Sequence, residues 1–160
     1  MNNSQIIIRK AEAEDLEAVL RLYNDMHDNP EVPDKERLEQ SWNEIITDNR
    51  LYLFILESGG IPSATCILDI VPNLTWGARP YGLIENVVTK KEFRRRGFGR
   101  KLLEYVLSFA WDADCYKVML LTGRSDDYIL DFYEKAGFKK DIKKGLLAIN
   151  PDYSGRFPQA

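Results

Sequence analysis

Apolar side chains fall at two spacings along this chain, and the places where the spacing changes mark its elements. Ile6, Ile7 and Ile8 predict a short strand over Gln5–Arg9. Ala11–Asp15 opens a helix with acidic residues in its first turn, where they face the positive end of the helix dipole. Leu16, Val19, Leu20 and Tyr23 continue it on one face, and Asn29-Pro30 and Val32-Pro33 break it. Asp34 is placed to cap a second helix whose apolar stripe is Leu38, Trp42, Ile45 and Ile46. The run Leu51–Leu56 is a strand, Ser58-Gly59-Gly60 a hairpin turn, and a strand from about Ser63 to Val71 returns antiparallel.

After a Pro- and Gly-containing loop, Tyr81–Thr89 forms the next strand. Phe98–Asp112 is a helix that faces the core with Leu102, Leu103, Val106 and Phe109 or Ala110. Lys117–Leu121 is a buried strand. Asp126 or Asp127 starts a helix that stops at Gly137, a residue able to take the left-handed conformation of a helix end. A last strand is expected within Lys139–Ile149, interrupted by Gly145, followed by an irregular tail over residues 150–160. The predicted order is β-α-α-β-β-β-α-β-α-β. Hairpins early and helical crossovers late imply a mixed sheet. With no repeat or linker-like composition, one α/β domain over residues 1–160 is expected, its core at about 5–149.

A hydrophobic share of 44% against 29% charged residues is ample for a packed core and argues against disorder. No apolar run approaches a membrane span, and the N-terminus lacks the pattern of a signal peptide, so no membrane partner and a cytoplasmic setting are expected. Cys66 and Cys115 are then expected as buried free thiols. One histidine and no Cys/His cluster leave no pattern for a metal. The net charge of −3 hides an asymmetry. Residues 90–101 carry seven basic side chains and one acidic, so the remainder is strongly acidic. That bulk acidity argues against nucleic acid as a partner, and the local excess marks one loop as a site.

The loop lies between an apolar strand and a helix start and contains Gly97 and Gly99. Unpaired N–H groups at a helix start attract anions, and glycines let backbone approach them. A phosphorylated ligand is the first expectation. The alternative for the arginines is a solvated basic face. A nucleotide P-loop is disfavoured because no Lys-Ser/Thr follows the glycines.

Arg94-Arg95-Arg96-Gly97-Phe98-Gly99 resembles the Arg/Gln-x-x-Gly-x-Gly/Ala signature of the GNAT superfamily of N-acetyltransferases, and Phe132-Tyr133-Glu134-Lys135-Ala136-Gly137-Phe138 resembles its F-Y-x-x-x-G-F segment. Element order agrees over roughly residues 5–149. Cys115–Val118, taken with Ile84–Val88, also resembles the glucosamine phosphate N-acetyltransferase branch.

The resemblance implies acetyl-coenzyme A as co-substrate and no metal. It implies a pyrophosphate cradled by backbone N–H groups near Arg94, Arg95, Arg96, Gly97, Phe98, Gly99 and Arg100, with the arginines adding field. It places pantetheine along the backbone of Val87, Val88 and Thr89, where an N–H would also polarise the thioester carbonyl. Glu85 and Asn86 interrupt an apolar strand. Glu85 is either the base that takes the amine's proton, directly or through a water, or a residue at the open edge of the cleft that binds substrate or pairs with an Arg. Tyr133 matches the residue that protonates the departing thiolate in many relatives, its alternative being an aromatic core position. Asp126 stands where relatives often bond pantetheine through an asparagine; aspartate lacks the amide N–H, so its other role is the helix N-cap. His27 with Asp25, Asp28, Glu31 and Asp34 either draws a cationic amine or is solvated surface, and Trp76 and Tyr81 line the cleft or a dimer contact.

The expected function is direct transfer of acetyl from acetyl-coenzyme A to a primary amine of a small molecule or peptide. No cysteine or serine has the neighbours of an activated nucleophile. The alternative is a non-catalytic acyl-coenzyme A sensor on the same fold. Pairing of two copies through the late strands is a further arrangement that the resemblance allows.

Overall fold

In the computed structural model, which describes residues 5–26 and 34–153, five strands form one sheet in the order β1-β2-β3-β4-β5. These are β1 Ile6–Lys10, β2 Leu51–Ser58, β3 Ile61–Val71, β4 Tyr81–Thr89 and β5 Val118–Leu120. The first four run antiparallel to their neighbours, and β5 pairs parallel to β4. The helices are α1 Leu16–Tyr23, α2 Lys35–Thr47, α3 Phe98–Asp112 and α4 Asp127–Lys135. The mixed α/β sheet and the order through α4 are as expected. His27, Asp28, Glu31 and the two Pro breaks lie outside the described residues.

Both faces of the central strands are covered, which explains the near-continuous apolar run of β2. Phe54 and Leu56 face α3 with Cys66, Leu68, Ile84, Leu102, Leu103 and Val106. Leu53 and Ile55 face the other way, onto Val19 of α1 and Trp42 and Ile45 of α2. Asp34 caps α2 by accepting the Arg37 N–H at 3.1 Å. Gly59 and Gly60, at φ 60° and 77°, make the β2–β3 turn with the twist that a tight hairpin requires. Gly137, at φ 106°, ends the α4 segment.

The strand expected within Lys139–Ile149 does not form. β5 offers only three residues to a neighbour, and the segment's lysines and Gly145 favour solvent over a ladder. Ile142, Leu146, Leu147 and Ile149 remain exposed. Cys66 and Cys115 are both free and buried, and burial pushes the Cys66 thiol up to about 12. Among the described residues no helix is long and apolar enough to cross a membrane, and no cluster of His, Cys, Asp or Glu is placed to hold a metal.

Candidate active site

The site begins where β4 and β5 part. Their ladder covers only Gly82–Ile84 against Val118–Leu120. From Glu85 onward no described strand pairs with that edge of β4, while its other edge stays joined to β3 and ends with the Lys90 N–H on the Ser63 carbonyl at 2.9 Å. A bulge sits at the parting. Ile67 pairs with Glu85 and Thr65 with Val88, so Cys66 alone opposes both Asn86 and Val87. Asn86 takes a left-handed φ of 54°, which asparagine tolerates better than most residues. The local twist opens the strand edge, and its unpaired backbone groups need a partner.

β4 leads through a 3₁₀ turn, Lys91–Phe93, into the glycine loop. Arg95 at φ 63° and Gly97 at φ 80° are both left-handed. Arg94 before them is extended, and left-handed residues in a turn are the ingredient from which backbone anion nests are built. Gly97 is the N-cap of α3 and lends no side-chain cap, so the first N–H groups of a 15-residue helix stay open to a ligand. Gly99 is buried against Thr89 and Phe132; an added Cβ would lie 2.8 Å from Thr89 Oγ1 and 3.1 Å from Phe132 Cζ. The backbone therefore comes as close to β4 and α4 as a glycine allows.

The arginines do not act as one group. Arg94 is committed within the protein, donating Nε to the Thr89 carbonyl at 3.0 Å and Nη2 to the Asp25 carbonyl at 2.8 Å. Arg96 lies over the Phe93 ring, 5.3 Å from its centroid, and Arg100 pairs with Glu104 at 3.3 Å. Val88 is buried and Val87 half-buried against the α3 side of the core, leaving backbone rather than side chain at the slot.

Across from β4, α4 presents Phe132 to Gly99 and Tyr133 toward Glu85. The Tyr133 ring meets Phe132 edge-on at 5.0 Å. Burial raises the pKa of its phenol, the charges of Glu85 and Cys66 raise it further, and Arg124 offsets part of this. The hydroxyl therefore keeps its proton at neutral pH. Glu85 is exposed on the cleft and its side chain makes no hydrogen bond or ion pair with a described residue, yet the surrounding protein raises its pKa by desolvation. Two ionisable groups with raised pKa values, set above the glycine loop, are the kind of arrangement that suits proton exchange with a ligand.

Asp126 is the N-cap residue of α4, but its side chain makes no capping bond. It accepts Arg124 Nε at 3.0 Å instead, and Arg124 also contacts the Tyr128 hydroxyl. Arg124 is the site-side residue that carries no motif of its own; its sequence signal is a basic residue two positions before a helix-starting carboxylate. Trp76 stacks on Tyr116 at 5.6 Å, beside the start of β5 and away from the glycine loop. Two surface hollows, one along residues 148–153 and one between β2 and α2, contain none of these groups.

Residues 16–138 match the model of the acetyltransferase (GNAT) family. The chain belongs to the GNAT family. Its members use acetyl-coenzyme A, and the open edge of β4 and the uncapped N-terminus of α3 offer backbone donors of the kind that ligand needs. A putative acetyltransferase from Agrobacterium tumefaciens str. C58 superposes with a TM-score of 0.83 at 40% identity, covering 90% of this chain and 99% of that one. Glucosamine-6-phosphate N-acetyltransferase from Arabidopsis thaliana superposes with a TM-score of 0.76 at 25% identity, covering 92% and 99%. A glucosamine 6-phosphate N-acetyltransferase of Trypanosoma brucei brucei is 39% identical over 72 residues, 45% of this chain and 47% of that protein. That match spans about half the length of the curated relative. The thialysine N-epsilon-acetyltransferase of Bos taurus aligns more fully, at 25% identity over 142 residues, 82% of this chain and 83% of that protein.

Proposed function

We propose that the protein transfers acetyl from acetyl-coenzyme A to a primary amine by direct attack in a ternary complex. The observation that carries this reading is the parting of β4 from β5 after Ile84 and Leu120, which leaves an open strand edge that runs into a glycine loop and a helix N-terminus. The edge from Val87 to Thr89 suits the amides of pantetheine, and the turn from Arg95 to Arg100 suits the pyrophosphate. Asp126 gives Oδ2 to Arg124 and keeps Oδ1 for the pantetheine arm.

Acetyl-coenzyme A supplies an acetyl thioester. As the amine nitrogen bonds to the acetyl carbon, Glu85 accepts the amine's proton; as the carbon–sulfur bond breaks, Tyr133 donates its proton to the thiolate. The backbone at the β4 bulge donates to the carbonyl oxygen as charge develops there. A covalent acetyl-cysteine has no support in this geometry, because burial raises the pKa of both thiols.

Amino-sugar phosphates and lysine-like amines head the acceptor classes, after the activities named for the two relatives. The test is a panel of primary amines including glucosamine 6-phosphate and thialysine, with free coenzyme A thiol as the signal. Thiol release that depends on one amine supports the reading. A protein that binds no acetyl-coenzyme A in calorimetry and releases thiol with no amine sinks it.

A further inference from the structure

Asp25, just past the end of α1, belongs to an acidic run for which the sequence offers two roles, attraction of a cationic amine or plain surface. The structure gives it a third. Its Oδ2 accepts the Lys91 N–H at 2.8 Å, and its backbone carbonyl accepts Arg94 Nη2 at 2.8 Å. Its Oδ1 lies 3.7 Å from Lys91 Nζ, and its side chain is only 20% exposed. Arg94 closes the circuit through the Thr89 carbonyl at 3.0 Å.

Lys91 opens the 3₁₀ turn that follows β4, so its N–H is one of the donors a helical start leaves unpaired. Asp25 satisfies it from 66 positions away. Arg94 ties the last carbonyl of β4 to the carbonyl of Asp25. The chain from Thr89 to Gly97, the approach to the anion nest, is thus fastened at two points to the end of α1.

We propose that Asp25 is a positioning residue for the coenzyme-binding loop. It holds Lys91 and Arg94 so that the nest at Arg95–Gly97 is already shaped when a polyanion arrives. This rests on the reading of that loop as the pyrophosphate site. The two possible actions of Asp25 have opposite signs. Its charge repels a phosphate, so if charge were its whole effect, removing it would tighten binding. As a brace, its removal loosens the loop and weakens binding.

The experiment is calorimetry of coenzyme A with the full chain as wild type, D25A, D25N and R94K, at low and raised ionic strength. D25A is expected to weaken binding about tenfold, the scale of one charge-assisted hydrogen bond. D25N keeps an acceptor oxygen for the Lys91 N–H and loses the charge. It is expected to bind at least as tightly as wild type, with any gain shrinking in salt. R94K is expected to weaken binding as well, because it cuts the second fastening, the bonds to the Thr89 and Asp25 carbonyls that D25A leaves in place. Unchanged or tighter binding by D25A overturns the proposal, as does a D25N loss equal to that of D25A. Should D25A not fold, the D25N and R94K results decide on the same terms. Absence of binding by the wild type overturns the reading of the loop and the brace with it, whereas intact wild-type binding with an indifferent D25A removes the brace alone.

Discussion

Gly99 packs against Thr89 so closely that a single added methyl would stand 2.8 Å from Thr89 Oγ1. The end of β4 and the start of α3 are held at this separation, and the anion nest lies between them. Gly99→Ala must push β4, α3 or the Phe132 ring aside, since Phe132 Cζ stands 3.1 Å away. Overpacking of this kind costs roughly 1–3 kcal/mol. Gly97→Ala meets no atom within 4 Å but must hold φ 80°, at about 1–2 kcal/mol. Denaturant unfolding should show both losses. Coenzyme A affinity should fall in both variants, since one shifts α3 against β4 and the other strains the glycine turn. Wild-type affinity in G99A would show that the ligand does not use this approach.

Glu85 and Tyr133 should separate in their pH behaviour. Desolvation raises the Glu85 pKa above the ordinary glutamate value. The rate kcat/KM should therefore rise with pH through that shifted value, and Glu85→Gln should remove the rise. The same shift has a stability sign. A carboxyl whose folded pKa exceeds its unfolded value contributes stability below the unfolded pKa and loses it as pH rises through the folded one. E85Q should accordingly raise the melting temperature at pH 7 relative to wild type, with the gain vanishing in acid. Tyr133→Phe should lower kcat by about 10²–10⁴-fold with little change in coenzyme A affinity. An unchanged kcat in Y133F would return Tyr133 to the aromatic core with Phe132 and Phe138.

Tyr23 carries a cost that a substitution should expose. Its ring packs against the cluster of Val19, Leu53 and Ile55, and its hydroxyl is buried beside the Asn86 side chain without a well-formed hydrogen bond among the described residues. Burial pushes its pKa up to about 12, and the nearby Asn86 side chain pulls the other way. A buried hydroxyl left unsatisfied costs about 1–3 kcal/mol. Tyr23→Phe should stabilise the free protein, read as a higher denaturant midpoint at unchanged slope. A lower midpoint would mean that the hydroxyl has a partner in solution.

The parts of this architecture legible in the sequence are those fixed by local pattern. Tyr81–Thr89 and Phe98–Asp112 follow from an apolar run, a glycine pair and a helical stripe, and the structure returns both with the same ends. The Gly59-Gly60 hairpin is equally local. The bulge is half legible: Asn86 marks an odd position in β4, but its left-handed turn depends on how β3 pairs on either side. Tertiary contacts were not legible. Asp25 looks like one more surface carboxylate until Lys91 is beside it, and Arg94 looks like one more phosphate ligand until two carbonyls claim it. The segment after Gly137 has strand-like residues but no ladder, because local propensity supplies no partner edge.

Arg9 provides the last prediction, away from the cleft. Its guanidinium holds Asp15 at 2.6 Å and Glu57 at 2.6 Å, joining β1, the turn before α1, and β2. The Arg9 hydrogen bond is the main reason the Asp15 pKa lies below the usual carboxylate range. A depressed folded pKa contributes stability above the unfolded pKa and loses it as pH falls through the folded one. The contribution should therefore be complete at neutral pH and disappear in strong acid. Asp15→Asn removes one partner of a partly buried pair and should cost about 1–3 kcal/mol at pH 7. The gap between wild type and D15N should close progressively as the pH drops below the ordinary aspartate value. A gap of constant size down to strong acid would mean that Asp15 acts through its backbone-capping bond to Glu12 and not through its charge.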